Sequence, residues 1–374
     1  MRWAWAEVDL EAIAYNVALL RDLVAPSSLW AVVKADAYGH GVAPVARSVL
    51  GAGATGLCIA LVKEGIELRA AGIEAPILIL SQQPVEDADL VVGHRLTPTV
   101  YSMQAVRAIA DSVRRAGGSQ YPVHLKIDTG MHRAGARPDE AVALADAIAA
   151  HPQLILEGVF THLAMADEPA APANQRQLEL FDRTLAALRD AGHQPAMVHA
   201  LNSAGAITRS QDRRDLVRVG LAMYGVSPGP QLSVACEQFR PALTLRARVS
   251  HVQRVAAGEG VSYGLRHIFE RETTVATVPI GYADGVPRRL FETGGEVLIG
   301  GQRHRIVGVV TMDQLMVDCG ESAVAVGDDV VLIGSQSAQG QRGEIRVEEW
   351  AERLGTIGYE ILCGISRRID RTYR

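Results

Sequence analysis

From residue 29 to about residue 233, short apolar runs alternate with stretches of helical periodicity, and this pattern constrains the fold more than any other feature. The runs are LWAVV (29–33), GLCIALV (56–62), APILIL (75–80), YPVHLKI (121–127), LILEGVF (154–160), AMVHAL (196–201) and DLVRVGLA (215–222). Between them lie segments such as DEAVALADAIAA (139–150) and NQRQLELFDRTLAALRDAG (174–192). In the latter Leu178, Phe181, Leu185 and Leu188 share one face, and Gly192 ends the helix. Strands separated by helices cannot close as hairpins, so they pair in parallel. Both a (β/α)8 barrel and an open doubly wound sheet satisfy this pattern, and periodicity does not separate them.

Past about residue 238 the texture changes. LTLRARVSHVQRV (243–255), TTVATVPIGYADG (273–285), RHRIVGVVTMDQLMVD (303–318) and DDVVLIG (328–334) are β-rich, with one late helical stretch, VEEWAERLG (347–355). A second, mostly β domain is expected, with the boundary near the turn residues 227–230. The chain of 374 residues is too long for one ordinary core, which agrees with two domains. Its net charge of −5 excludes the basic footprint of a nucleic-acid or anionic-membrane binder. No run reaches the roughly 18 apolar residues of a membrane helix, and MRWAWAEVDLEAI, with acids inside its first dozen residues and no long apolar run, does not read as a secretory signal. Cys58, Cys236, Cys319 and Cys363 are far apart and form no CxxC pair, which argues against zinc and disulfides and fits a reducing cytoplasm.

GAGATG (51–56) fits GxGxxG, but a helix precedes it and a strand follows. The dinucleotide fingerprint needs the reverse order. These glycines are expected to end a helix and turn into the next strand.

Lys34 closes the first apolar run and precedes a Gly-bracketed loop with Tyr38 and His40. A helix follows, with Val42, Val45, Ala46, Val49 and Leu50 at its spacing, Pro44 near its start and Gly51 at its end. A lysine at a strand-to-helix junction is placed to form a Schiff base, though a surface lysine has the same local appearance. In VHLKID (123–128), Val123, Leu125 and Ile127 face one way and His124, Lys126 and Asp128 the other. In a barrel Lys126 would be partly buried and in need of a partner; an ion pair with Asp128 or a neighbouring acid is the plain expectation.

VVKADAYGHG (32–41) closely resembles the pyridoxal-phosphate lysine motif of alanine racemases. KIDTGMHRAG (126–135), THLAMADE (161–168), HALNSAG (199–205), RVGLAMYG (218–225), VSYG (261–264), PIGYADGVPR (279–288), TMDQLMVD (311–318) and GTIGYEILCGI (355–365) resemble the same family in the same order. The resemblance implies a (β/α)8 barrel over residues 1–235 that binds pyridoxal phosphate, and a mostly β domain over residues 236–374. It implies two-base racemisation of alanine, with Lys34 on one face and Tyr263 on the other. Arg133 would lower the pKa of the tyrosine and, with the Met312 backbone, hold the substrate. Arg218 would sit beside the pyridine nitrogen. Tyr38, Ser203, Gly220, Leu221 and Tyr359 would hold the phosphate, and His162 would pack on the ring. Lys126 would be carboxylated to orient Arg133. Asp313 would line the substrate side, and Tyr282 and Arg288 the channel mouth. The second domain of one subunit would close the site of the other in a head-to-tail homodimer, and the product would supply D-alanine for peptidoglycan in the cytoplasm.

The residue types carry part of this on their own. A free tyrosine ionises near ~10, so it needs a neighbouring positive charge to act as a base at neutral pH. Arginine stays protonated and leaves a neighbouring pyridine nitrogen bare, which weakens the ring as an electron sink and suits racemisation over transamination. Three positions depart from the family: Thr311 where cysteine is frequent, Val309 where arginine is frequent, and His132 in place of a glycine. They bear on channel charge and on the strictness for alanine, and a racemase of broader or serine preference is the near alternative. An amino-acid decarboxylase of similar layout would want an acid where Arg218 stands. A non-catalytic cofactor carrier would have no use for Tyr263 and Met312.

Overall fold

The computed structural model describes residues 3–338 and 340–374, which divide into two compact units. One comprises Ile13–Ala37 and Val42–Phe239; the other comprises Met1–Ala12, Tyr38–Gly41 and Arg240–Arg374. The division is not the simple break expected at 235/236. The first strand, β1 (Ala4–Val8), pairs antiparallel with Leu243–Arg248 and parallel with Asp370–Tyr373, so the N-terminal residues complete the sheet of the second unit.

In the first unit the strands are β2 (Ser28–Val32), β3 (Gly56–Ile59), β4 (Ile77–Ile79), β5 (Thr99–Val100), β6 (Tyr121–Lys126), β7 (Leu154–Phe160), β8 (Met197–His199) and β9 (Leu216–Val219). All neighbours are parallel, in the order β4-β3-β2-β9-β8-β7-β6-β5. A parallel bridge between Leu78 and Thr97 joins the two ends of this path, reinforced by the Thr99 hydroxyl donating to the Ile79 carbonyl. That bridge decides for the barrel over the open sheet. Its strands are buried on both sides, β3 and β9 along their whole length, as parallel strands under a helical ring must be.

α3 (Val42–Gly51) and Pro172–Asp190, which buries Leu178, Phe181 and Leu188, follow the expected periodicity; α1 (Leu10–Val24) before β2 and the short α2 (Lys34–Gly39) after it were not expected. GAGATG behaves as expected, closing α3 and opening β3.

The second unit is built on a ten-stranded sheet, antiparallel except for the pairing of β1 with Asp370–Tyr373, and carries a separate antiparallel pair, Gly260–Val261 with His267–Ile268. Its strands alternate buried and half-buried residues, as Leu243–Arg248 and Leu315–Gly320 do, because one face is packed and the other meets water. The helix Val347–Leu354 ends at Gly355 in the left-handed region, as its sequence predicts. Among the described residues no helix is long and apolar enough to cross a membrane, and the four cysteines are free thiols.

Candidate active site

Lys34 is half-buried just past the C-terminal end of β2, and the residues after it reverse the ordinary hand of the chain. Ala35, Asp36, Ala37 and Tyr38 have φ of 52°, 55°, 52° and 50°, and Gly39 has 79°. α2 is therefore a turn of left-handed helix. For L-residues this costs about 1–2 kcal/mol each, so surrounding bonds must hold it. The Glu64 carboxylate accepts from the Ala35 N–H (2.6 Å) and from the Ala60 and Leu61 N–H groups (2.8 and 3.0 Å). Asp36 Oδ1 accepts from the Val42 N–H at 2.8 Å. Gly39 has no room for a Cβ, which would lie 2.5 Å from the Leu362 carbonyl oxygen. Sequence reading took this segment for a loop and did not single out Glu64.

Inside the barrel, β6 turns His124 and Lys126 inward, as its alternation predicts; both are buried. The Lys126 ammonium donates to the Leu80 carbonyl (3.2 Å) and lies over the Phe160 ring. It makes no contact ion pair with Asp128, whose Oδ1 instead accepts from the Gly130, Met131 and His132 N–H groups. Burial, then the charges of Arg218 and Arg133, push the Lys126 amine down to about 8, against the opposing pull of Asp128. His132 takes φ 55°, the left-handed conformation that glycine adopts at no steric cost.

Arg218 is buried in the middle of β9. Nη1 donates to His199 Nδ1 (2.5 Å), and Nη2 faces the carbonyls of Thr161 (2.9 Å) and Ala200 (3.1 Å) and His162 Nδ1 (3.2 Å). Among the described residues these contacts engage three of its five N–H groups, leaving Nε–H and the second Nη1–H for a ligand. Burial brings Arg218 down to about 10, and burial together with the Arg218 charge holds His162 well below the usual histidine range. Arg218 contacts His162, Arg218 and Lys126 both lie over the Phe160 ring at 5.1 and 5.5 Å, and the charges of Lys34 and Arg133 also reach His162, so these five sequence-predicted residues share one neighbourhood. A cluster so rich in positive charge suits a ligand carrying phosphate and carboxylate groups.

At the end of β8, Asn202 and not Ser203 caps the following helix, accepting from the Gly205 N–H at 3.1 Å. The Ser203 hydroxyl is thereby left to collect the N–H groups of Gly220 (2.8 Å) and Ala222 (3.4 Å). A hydroxyl and backbone donors converging after the last two barrel strands form the kind of cradle that phosphate requires. Gln177, unremarked in the sequence, accepts from the Ala164 N–H and donates to the His162 carbonyl, fixing the loop that carries His162. Its signal was a polar residue, like Asn174, on the apolar face of the helix that holds Leu178 and Phe181.

The other predicted residues belong to the second unit. Tyr38 and Tyr359 meet edge to face, with ring centroids 5.7 Å apart. Tyr263 opens a short turn and is 74% exposed; the neighbouring Ser262 hydroxyl donates to the Val309 carbonyl. The carbonyls of Thr311 and Met312 accept from Tyr282 N–H and Ala283 N–H, so TMDQ and GYADG lie side by side. Arg368, missed in the sequence, ties them: it pairs with Asp313 at 2.7 Å and approaches the buried Asp284 at 3.5 Å. Arg288 is exposed a few residues further on.

Comparisons with known proteins agree over the whole chain. Residues 8–228 match the alanine racemase N-terminal domain family, and residues 242–373 match the alanine racemase C-terminal domain family. The chain is 44% identical to the alanine racemase of Thermobifida fusca, spanning 99% of this chain and 98% of that protein. It is also 44% identical to that of Symbiobacterium thermophilum, over 100% and 97%. Among solved structures, alanine racemase from the D-cycloserine producer Streptomyces lavendulae superimposes with a TM-score of 0.94 at 39% identity, covering 100% of this chain and 97% of that one. A histidine racemase from Leuconostoc mesenteroides superimposes at 0.89 with 28% identity, covering 100% and 98%.

Proposed function

Because the chain belongs to the alanine racemase family of isomerases, we propose that it interconverts L- and D-alanine with pyridoxal phosphate. The observation that carries the reading is the gathering of Lys34, Lys126, Arg133, His162 and Arg218 at the barrel's C-terminal end, with uncommitted N–H donors on Arg218. These residues fit the group: Lys34 for its aldehyde, Arg218 for its ring nitrogen, His162 for its ring face, and Ser203, Gly220, Leu221, Tyr38 and Tyr359 for its phosphate. Bound there, pyridoxal phosphate would draw electrons from the amino acid's Cα and make its proton removable at neutral pH.

The chain's own residues do the rest. Lys34 Nζ takes or returns the Cα proton on one face, and Tyr263 Oη does so on the other. Arg218 keeps its protons and leaves the ring nitrogen bare, so negative charge at Cα is short-lived and is quenched by a proton. Arg133 and the Met312 backbone hold the substrate carboxylate. Lys126, poised near neutrality, has a free-amine fraction that can add to the carbon of CO2 and release a proton; the resulting carbamate would orient Arg133. Asp313, Tyr282 and Arg288 shape the approach.

The division of roles between the barrel (1–235) and the β domain (236–374) is proposed to operate in a head-to-tail homodimer, the β domain of one subunit closing the barrel of the other. The exposure of Tyr263 and Met312 supports this, and full activity from a monomer would contradict it. The family and the free thiols support a cytoplasmic role supplying D-alanine for peptidoglycan.

The test is circular dichroism of L-alanine with purified protein and pyridoxal phosphate. Decay to zero at constant total amino acid is expected; an unchanged signal sinks the assignment. The likeness to a histidine racemase favours one second reading, a broader side-chain preference, which L-serine and L-histidine assayed in parallel would rank.

A further inference from the structure

Below Arg218, a line of hydrogen bonds crosses the barrel interior that the racemisation chemistry does not use. Arg218 Nη1 meets His199 Nδ1 at 2.5 Å, His199 Nε2 meets His124 Nδ1 at 3.0 Å, and His124 Nε2 meets Glu157 Oε2 at 3.1 Å. It steps from β9 to β8 to β6 to β7. Glu157 is the central residue of β7, three residues short of its C-terminal end at Phe160 and so set back from the strand ends that carry Lys34, His162 and Ser203; its side chain is 30% exposed.

The direction of every bond follows from the two ends. A guanidinium can only donate, so His199 Nδ1 accepts and its proton sits on Nε2. That N–H donates to His124 Nδ1, whose own proton is then on Nε2 and points at a carboxylate, which can only accept. Burial holds both imidazoles below their usual range, so each is neutral with one donor and one acceptor. The rings are also fixed in place. His199 stacks on Phe160 with centroids 4.6 Å apart and planes 6° from parallel. His124 rests on Gly158, where a Cβ would lie 2.5 Å from the imidazole Cε1.

We propose that Glu157 is a positioning residue for Arg218: its carboxylate ends a one-way donor chain through His124 and His199 that locks both tautomers and holds the guanidinium facing its ligand. Without an acceptor at 157 the buried His124 Nε2–H is left unpaired; reversing the chain relieves it, but a reversed chain sets a His199 N–H against the N–H of Arg218. The guanidinium then swings away and the ring nitrogen is no longer kept bare. This catalytic consequence rests on the cofactor reading above; the tautomer order does not.

The experiment is 15N NMR of histidine-labelled full-length protein, with and without pyridoxal phosphate, for the parent, Glu157→Gln and Glu157→Leu, with His124 and His199 assigned by single substitution. Parent and Glu157→Gln, whose amide oxygen still accepts, are expected to carry the proton on Nε2 of both rings, and Glu157→Leu to show mixed tautomers. In the loaded enzyme, Glu157→Leu should raise transamination events per racemisation by roughly tenfold at little-changed KM, the scale of losing a group that orients another. A parent spectrum with the His199 proton on Nδ1 overturns the proposal even if Glu157→Leu does not fold. So does a Glu157→Leu protein with the parent's tautomers and partition, or a Glu157→Gln protein that behaves like Glu157→Leu. Absence of a Schiff-base absorbance in the parent would instead break the cofactor reading, leaving the tautomer result to judge the chain.

Discussion

The barrel and the β unit hold their candidate site residues in opposite ways. In the barrel, Arg218, His199 and His124 are buried, and each is bonded to named partners. In the β unit, Tyr263, Met312 and Tyr282 stand on the surface at 74%, 52% and 43% exposure. Their backbones are fixed by neighbouring loops, while their side chains face outward. The barrel half is organised by its own folding, where a low dielectric makes each charge count. The β half offers groups that gain a dry environment only when something covers them. Substitutions should divide accordingly, into those that change cofactor retention and those that change turnover alone.

The largest effect should come from Lys34→Ala. It is expected to lose the Schiff-base absorbance and to cut kcat/KM by about a thousandfold or more; survival of either would remove the barrel half of the comparison. Tyr263→Phe should lower racemisation by roughly 10²–10⁴-fold, the range of a general acid–base group, with the cofactor spectrum unchanged. If that spectrum is lost too, the two halves are not separable. Lys126→Met tests the cost of burying charge in the barrel. Unfolded, Lys126 keeps its proton up to its ordinary 10.5; folded, it releases it near 8. Between those values the unfolded chain binds more protons, so the parent's stability rises with pH; below about 8 the penalty is full, on the order of 3 kcal/mol. Denaturation at pH 7 and pH 10 should therefore show Lys126→Met more stable than the parent, by a margin that shrinks at the higher pH. Carbon dioxide must be excluded, since a carbamate would hide the effect. The smallest change is expected from Arg368→Leu, which loosens the two loops it joins. KM for alanine should rise a few-fold while the cofactor spectrum stays as in the parent; a lost spectrum would mean that the β loops also hold the barrel's ligand.

Much of this was written locally. The apolar runs ending at Val33, Ile127 and Phe160 mark strands because parallel barrel strands are buried on both sides. Lys34 and Arg218 were visible as charges at the end or in the middle of such runs. β5 escaped because it is two residues long behind Pro98. β1 looked like part of the barrel because its partners lie at the far end of the chain. The left-handed turn gave no sign beyond Gly39 and Gly41 at its C-terminal end, since its alanines ordinarily favour the right-handed helix. Glu64, Glu157 and Arg368 are ordinary surface types in sequence, and only the folded backbone shows what they hold.

The pairing of β1 has a consequence for synthesis. Ala4–Val8 is synthesised before every barrel strand, yet both strands that flank it, Leu243–Arg248 and Asp370–Tyr373, are translated only after all eight. The barrel can assemble while β1 waits with both hydrogen-bonding edges open, a segment at risk of pairing with another nascent chain. Slowing translation between residues 240 and 370 should lengthen that wait and lower the soluble yield, without altering the stability of the molecules that finish.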